Sequence, residues 1–245
     1  MNSQVVEKVS LVREDENISY ITPTINPLSC TVVIVETGHN IWLYDTGSHS
    51  DIPAMINSYN QAEKNINIVL SHFHPDHIKN VSDIHFKNMY QGKNTLRYTG
   101  AGEIVTDDMY IDDDINLHIF PIASSHAKGC LALEVKDICY VGDALYPATS
   151  QQFRRYNAGL LLEQLRQIES CNAKYISLSH RTHFKYSKRA VVRWLKAIYK
   201  LRGANEAYIY VQNVDAVLTD ISKPEDPAAH DPDMIGAMMN PDKSN

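Results

Sequence analysis

The chain has 245 residues, 44% apolar and 21% charged, a balance that suits a folded globular protein and excludes a disordered or fibrous one. Its 23 Lys and Arg stand against 29 Asp and Glu, a net charge of −6, which leaves no cationic footprint for nucleic acid or an anionic membrane surface. No run reaches the ~20 apolar residues of a membrane span, and the opening MNSQVVEKVSLVRED lacks the apolar stretch of a signal peptide.

The first third reads as strands. Val5–Val12, Ile18–Thr22, Thr31–Glu36 and Ile41–Tyr44 are β-branched or aromatic runs broken by Asn, Pro, Gly and Asp. Gly38-His39-Asn40 suits a tight hairpin. Ile66–Leu70 is nearly all apolar, the pattern of a strand buried on both faces. Asp107, Asp108, Asp112, Asp113 and Asp114 crowd a segment expected to be a solvated loop. Ile115–Ile122, Leu131–Val135 and Ile138–Val141 give three more strands, the last two joined at Lys136-Asp137.

Helical spacing dominates the second half. Leu161, Leu165 and Ile168 predict a helix over Asn157–Ser170, and Val191, Leu195 and Ile198 predict another between Ser187 and Arg202. Ser187 suits its N-cap and Gly203 its stop. The strand Tyr175–Leu178 lies between them. Lys185, Arg189, Arg193, Lys196 and Lys200 form the solvated face of the second helix. The stretch Lys223–Asn245 carries four prolines and reads as an irregular tail, with one short Met-rich turn at Met234–Met239. Strands with helices inserted between them predict a layered α/β fold: one domain over residues 1–222, followed by a tail over 223–245. The four cysteines (Cys30, Cys130, Cys139, Cys171) form no CxxC pair. They read as small buried residues in a cytoplasmic protein.

The chemistry concentrates in Ser71-His72-Phe73-His74-Pro75-Asp76-His77, directly after a buried strand. Imidazole ligates Zn, Fe and Ni, and carboxylate extends the choice to Mn. On an extended segment His72 and His74 point to one side, so one ion can take both. Asp76 and His77 follow a proline that turns the chain, which lets them face a second ion.

This motif resembles the HxHxDH signature of the metallo-β-lactamase superfamily, and other elements of that pattern follow in order. Tyr44-Asp45-Thr46-Gly47 is similar to its early Asp-x-Gly element, with Asp45 a buried carboxylate behind the ligands. Ser125-His126-Ala127-Lys128-Gly129 is similar to its HxxG element. Gly142-Asp143 matches the carboxylate that bridges two metals, and Leu178-Ser179-His180 matches the last ligand. Lys79 and Ser179 depart from positions where glycine is common, and His183 is near enough to compete with His180.

The resemblance implies a four-layer αββα sandwich holding two divalent ions, most often Zn, with Fe or Mn as alternatives. It implies His72, His74 and His126 on one ion, Asp76, His77 and His180 on the other, and Asp143 between them. It further implies hydrolysis of a small ester, thioester or lactone by metal-bound hydroxide, with the bridging carboxylate of Asp143 or Asp76 carrying a proton to the leaving group. Asp143 argues against β-lactam hydrolysis, because the true β-lactamases of this fold lack a bridging aspartate there. His74 argues against the flavin-linked di-iron reductases, which usually carry a glutamate at that position, and no flavodoxin-like domain follows. Tyr146, three residues after Asp143, resembles the tyrosine with which acyl-homoserine lactonases hold the substrate carbonyl, and makes a lactonase-like enzyme an alternative. A phosphodiesterase and a non-catalytic ligand-binding protein are the others. The expected partner is a small molecule, with oligomeric state open.

Overall fold

A computed structural model describes residues 6–60, 63–181 and 183–211. Seven strands form a first sheet in chain order: β1 (Leu11–Arg13), β2 (Ile18–Ile21), β3 (Val32–Glu36), β4 (Asn40–Tyr44), β5 (Asn65–Val69), β6 (Asn88–Gln91) and β7 (Glu103–Ile104). Neighbours are antiparallel as far as β4 and parallel from β4 to β7. Six strands form a second sheet, again in chain order: β8 (Met109–Asp113), β9 (Ile115–Ile122), β10 (Cys130–Val135), β11 (Ile138–Tyr140), β12 (Tyr175–Ser177) and β13 (Tyr186–Ser187). There the β11–β12 pair is parallel and the others antiparallel.

Parallel neighbours need a crossover. In the first sheet these carry α1 (Ile52–Tyr59), α2 (Pro75–Ile78) and α3 (Leu96–Thr99). In the second, α4 (Ala158–Ser170) links β11 to β12, and α5 (Lys188–Tyr199) follows β13. Asn157 caps α4 by accepting from the Leu160 N–H at 3.0 Å, and Ser187 caps α5 by accepting from Ala190 N–H at 3.2 Å.

Strand alternation sorts the apolar side chains into three buried layers. Val32 and Ile34 of β3, with Leu43 and Ile68, pack on Ile52 and Ile56 of α1. Val33 and Val35 of the same strand, with Trp42 and Tyr44, face the other way and meet Ile119, Leu131 and Leu133 of the second sheet. The outer face of that sheet, with Phe120, Ala132 and Cys139, packs on Leu161, Leu165 and Ile168 of α4 and Val191, Trp194 and Leu195 of α5. The result is a layered sandwich of two large sheets with flanking helices. β4 ends beside Asp45, β5 leads into His72, β9 leads toward His126 and β11 leads into Asp143, so the candidate residues gather at one end of both sheets.

Several expectations change in the structure. Of the described part of the stretch Val5–Val12, only Leu11 and Val12 join the sheet, in a strand that runs on to Arg13. The helix from Ser187 ends at Tyr199, before Gly203, with Lys200 as its cap. Asp112 and Asp113 belong to the edge strand β8, and Asp113 is not merely solvated. Its carboxylate accepts from Trp42 Nε1 at 2.7 Å and Asn40 Nδ2 at 2.9 Å on the opposite sheet, and from Thr37 Oγ1 at 2.9 Å in the turn between β3 and β4. All four cysteines are buried and unpaired. No helix among the described residues is long and apolar enough to cross a membrane. The expected tail, residues 223–245 with its Met-rich turn, lies outside the described residues.

Candidate metal centre

Seven side chains from four separate loops converge at the strand ends. His72 Nε2 and His126 Nε2 each lie 3.0 Å from His74 Nδ1. A tetrahedral ion with ligands at about 2.0–2.1 Å sets its nitrogens about 3.3 Å apart, so three ring nitrogens already stand near ligand spacing. Asp76, His77, Asp143 and His180 form an adjoining cluster. His180 Nε2 lies 3.0 Å from Asp76 Oδ2 and 3.3 Å from His77 Nε2. Asp143 Oδ2 is 3.4 Å from His77 Nε2, 3.6 Å from His180 Nε2 and 3.4 Å from His126 Nε2. It therefore touches both clusters at once.

The backbone bends sharply to make this geometry. Asp45 and His180 both adopt left-handed φ values, +64° and +61°, uncommon for residues with a side chain. Gly142, at φ +53°, precedes Asp143 where a Cβ would stand 2.6 Å from Ser71 Cβ. A second close approach joins the two halves: a Cβ on Gly92, just past β6, would collide with the Gly129 carbonyl of the loop that carries His126. Tyr44 donates its hydroxyl to the Leu131 carbonyl at 2.7 Å, and Leu131 N–H donates to the Ser71 carbonyl at 2.8 Å.

Most of the charge states suit cations. Burial pushes the imidazoles of His72, His74 and His126 below the ordinary histidine range, and a neutral ring is the form that ligates metal. Burial opposes ionisation of Asp143, but His77, His180 and His72 outweigh it and hold its carboxyl well below the usual range. Burial likewise opposes the charge of His77. The Asp45 and Asp143 carboxylates outweigh that penalty and hold the ring well above its usual range, so His77 would give up a proton on taking a metal. Asp143 Oδ1 is buried with no hydrogen-bond partner among the described residues, a costly state for a carboxylate oxygen unless a cation meets it. Three neutral imidazoles beside two imidazoles and two carboxylates, with one carboxylate oxygen still unpaired, form a donor set that fits a pair of divalent ions.

Comparison with known proteins agrees with this geometry. The family profile described as the metallo-beta-lactamase superfamily matches residues 25–89, which hold Asp45 and the whole His72–His77 motif. A point variant of the flavo di-iron protein from Thermotoga maritima superposes with a TM-score of 0.61 at 11% identity, over 81% of this chain and 63% of that one. The chain thus spans less than two thirds of that protein's length. The DIM-1 metallo-beta-lactamase gives a TM-score of 0.59 at 15% identity, over 80% of this chain and 99% of its own. The chemotaxis sensor ODP, solved with a peroxy di-iron species, gives 0.60 at 16% identity, over 80% and 96%. No curated protein sequence matches. The chain has the metallo-β-lactamase fold.

Within this metallo-β-lactamase fold, all seven expected ligands stand in the two clusters. His183 is exposed, with its ring 6.0 Å from Tyr186, and belongs to neither cluster. Asp45 is fully buried. Its Oδ2 accepts from His77 Nδ1 at 2.7 Å, which leaves Nε2 of that ring to face the second cluster.

Tyr146 stands near the centre, its ring 6.4 Å from that of His126, but its hydroxyl is already engaged. It donates to the Ser179 carbonyl at 2.6 Å and accepts from Arg181 Nε at 3.0 Å. The three-residue offset from Asp143 carries the side chain to the right end of the sheet without fixing where its proton goes.

Two contributors escaped sequence reasoning. Ser71 donates its hydroxyl to Asp45 Oδ2 at 2.7 Å, with its oxygen 3.0 and 3.2 Å from the Nδ1 atoms of His72 and His77. Its place directly before the motif was the available signal. Cys30 forms a buried group with Asp45 and His77, and burial pushes its thiol up to about 12. No local sequence feature announces that contact.

Proposed function

We propose that this chain is a binuclear metal-dependent hydrolase acting on a small ester, thioester or lactone. The observation that carries the reading is the position of Asp143 Oδ2, within 3.6 Å of ring nitrogens in both clusters. His72, His74 and His126 would hold one ion, and Asp76, His77 and His180 the other, with Asp143 reaching both. Zinc fits the imidazole-rich set best. Bound there, two divalent ions would polarise a carbonyl and lower the pKa of a water from 15.7 toward about 7.

The chain's own groups supply the rest. Asp45 and Ser71 fix the His77 ring, and the left-handed turn at His180 presents Nε2 to Asp76. The Asp76 carboxylate, slightly exposed beside His180, carries the proton released by the attacking water to the leaving-group oxygen or sulfur. His74, in the position where flavin-linked di-iron reductases usually have glutamate, favours hydrolysis over oxygen chemistry. Residues 1–222 make up the catalytic domain in this reading. Four unpaired cysteines suit a cytoplasmic setting.

The test is elemental analysis of the zinc-loaded chain, followed by turnover of activated esters, thioesters and lactones. Two ions per chain are expected, with hydrolysis that a chelator abolishes and added zinc restores. One ion or none at full loading, or hydrolysis that survives chelation, would overturn it.

A further inference from the structure

A half-buried guanidinium lies at the edge of the centre with no carboxylate among the described residues to neutralise it. Arg181 directly follows His180, and its Nε donates to Tyr146 Oη at 3.0 Å. Its guanidinium carbon lies 5.4 Å from the Tyr146 ring centroid, and that ring stands edge-on to His126. The residue is thereby tied to one ligand through the backbone and to another through an aromatic ring. No acidic group among the described residues lies within ion-pair distance of Arg181, whereas Lys64, Lys136, Lys185 and Lys196 each meet a carboxylate.

A guanidinium has five N–H donors and no acceptor. Tyr146 takes the one on Nε, so the two Nη atoms remain, a planar fork that matches the two oxygens of a carboxylate end-on. Tyr146 has given its own proton to Ser179 and has none left for a substrate. The donors left open beside His180 are therefore those of the arginine, with the tyrosine as its brace.

We infer that Arg181 binds a carboxylate carried by the substrate, so that the preferred substrate is an anionic ester, thioester or lactone. This rests on the hydrolase reading above for its kinetic arm, and on binding alone for its second arm.

The kinetic arm compares two activated esters that differ in one charge: 4-nitrophenyl hydrogen glutarate and its methyl ester, in which the free carboxylate is capped. The zinc-loaded full chain should favour the free acid in kcat/KM by roughly ten- to hundredfold, the effect of one charge-assisted pair. Arg181→Gln should lower that ratio at least tenfold, mainly through KM. Arg181→Lys, which keeps the charge without the fork, should lower it less. A ratio that changes less than threefold in Arg181→Gln overturns the inference.

If neither ester is turned over, the hydrolase reading fails for this class, and the second arm decides the role of Arg181 by itself. In the metal-free, ¹⁵N-labelled full chain, the Nε–Hε resonance missing from Arg181→Gln is assigned to Arg181. It should shift saturably with glutarate and not with glutaramide. No shift, or equal shifts with both, overturns the inference.

Discussion

The two ends of the sandwich both join one sheet to the other through a carboxylate, and they do so in opposite ways. At the end remote from the metal centre, Asp113 reaches from the edge of the second sheet to Trp42, Asn40 and Thr37, and both its oxygens accept from neutral donors. The adjacent Asp114 accepts from the Gly38 N–H at 3.0 Å. At the metal end, Asp143 faces imidazoles from three loops, yet its Oδ1 and the His180 Nδ1 are buried without partners among the described residues. A carboxylate withdrawn from water must be met by donors or by cations. The remote end meets this need with protein groups and is complete as folded. The metal end leaves part of the need open, as a site for divalent cations does.

This contrast can be broken by substitution. The largest effect is expected for Asp143→Ala, which removes the carboxylate common to both clusters. Zinc content should fall from two ions toward one, and turnover should drop by more than the roughly 10–100-fold that a ligand's outer partner costs. An Asp143→Ala chain that keeps two tightly held ions would falsify the bridging role. Asp45→Asn preserves shape but weakens the acceptor for His77 Nδ1. It should cost about 10–100-fold in metal affinity or activity, measured by competition with a chromophoric chelator.

The remote end should respond in stability alone. Asp113→Ala strands Trp42 Nε1 and Asn40 Nδ2 and, given the aspartate's partial exposure, should cost about 2 kcal/mol in urea unfolding. Unchanged zinc content is expected, and loss of metal would erase the proposed division between the two ends.

Tyr146→Phe should have a smaller effect, about 1 kcal/mol, because it frees the Ser179 carbonyl and loosens the turn that carries His180. Metal titration should show the weaker of the two binding steps weakened further. Intact binding combined with a turnover loss of 10²–10³ would return Tyr146 to the substrate-donor role.

The smallest effect is in pH dependence. Burial opposes ionisation of Asp113, but the bonds from Trp42, Asn40 and Thr37 outweigh it and lower its carboxyl below the usual range. The folded value lies below the unfolded one. The stabilisation is therefore fully present above about pH 4 and is lost as pH falls through the folded value. The stability gap between wild type and Asp113→Ala should narrow below about pH 4; a gap that widens on acidification would contradict the assignment.

Much of this molecule is legible from sequence because burial and chemistry leave local marks. Val32–Val35 carries apolar residues on both faces, since each face meets a core, and so reads as a strand without alternation. The ligands lie just past such strands, where motif and strand end coincide. Less legible is whatever depends on distant partners. The acidic segment around Asp113 reads as solvated because Trp42, Asn40 and Thr37 lie more than 70 residues away. The bond that redirects Tyr146 comes from a carbonyl 33 residues further on. The α1 segment, IPAMINSY, buries only Ile52 and Ile56, too sparse a stripe to read as a helix.

The contact between Gly92 and Gly129 bears on how this scaffold can be rebuilt. His126 belongs to the second sheet by chain, yet its loop is seated against a backbone turn of the first, where no side chain fits between them. The two turns behave as mating parts cut to a single tolerance. A chimaera that exchanges one half of the molecule with a relative inherits only one of these parts. Its His126 will then sit wherever the foreign turn allows. The natural unit of exchange for an engineer is the glycine pair together with both loops, even though 36 residues of chain separate them.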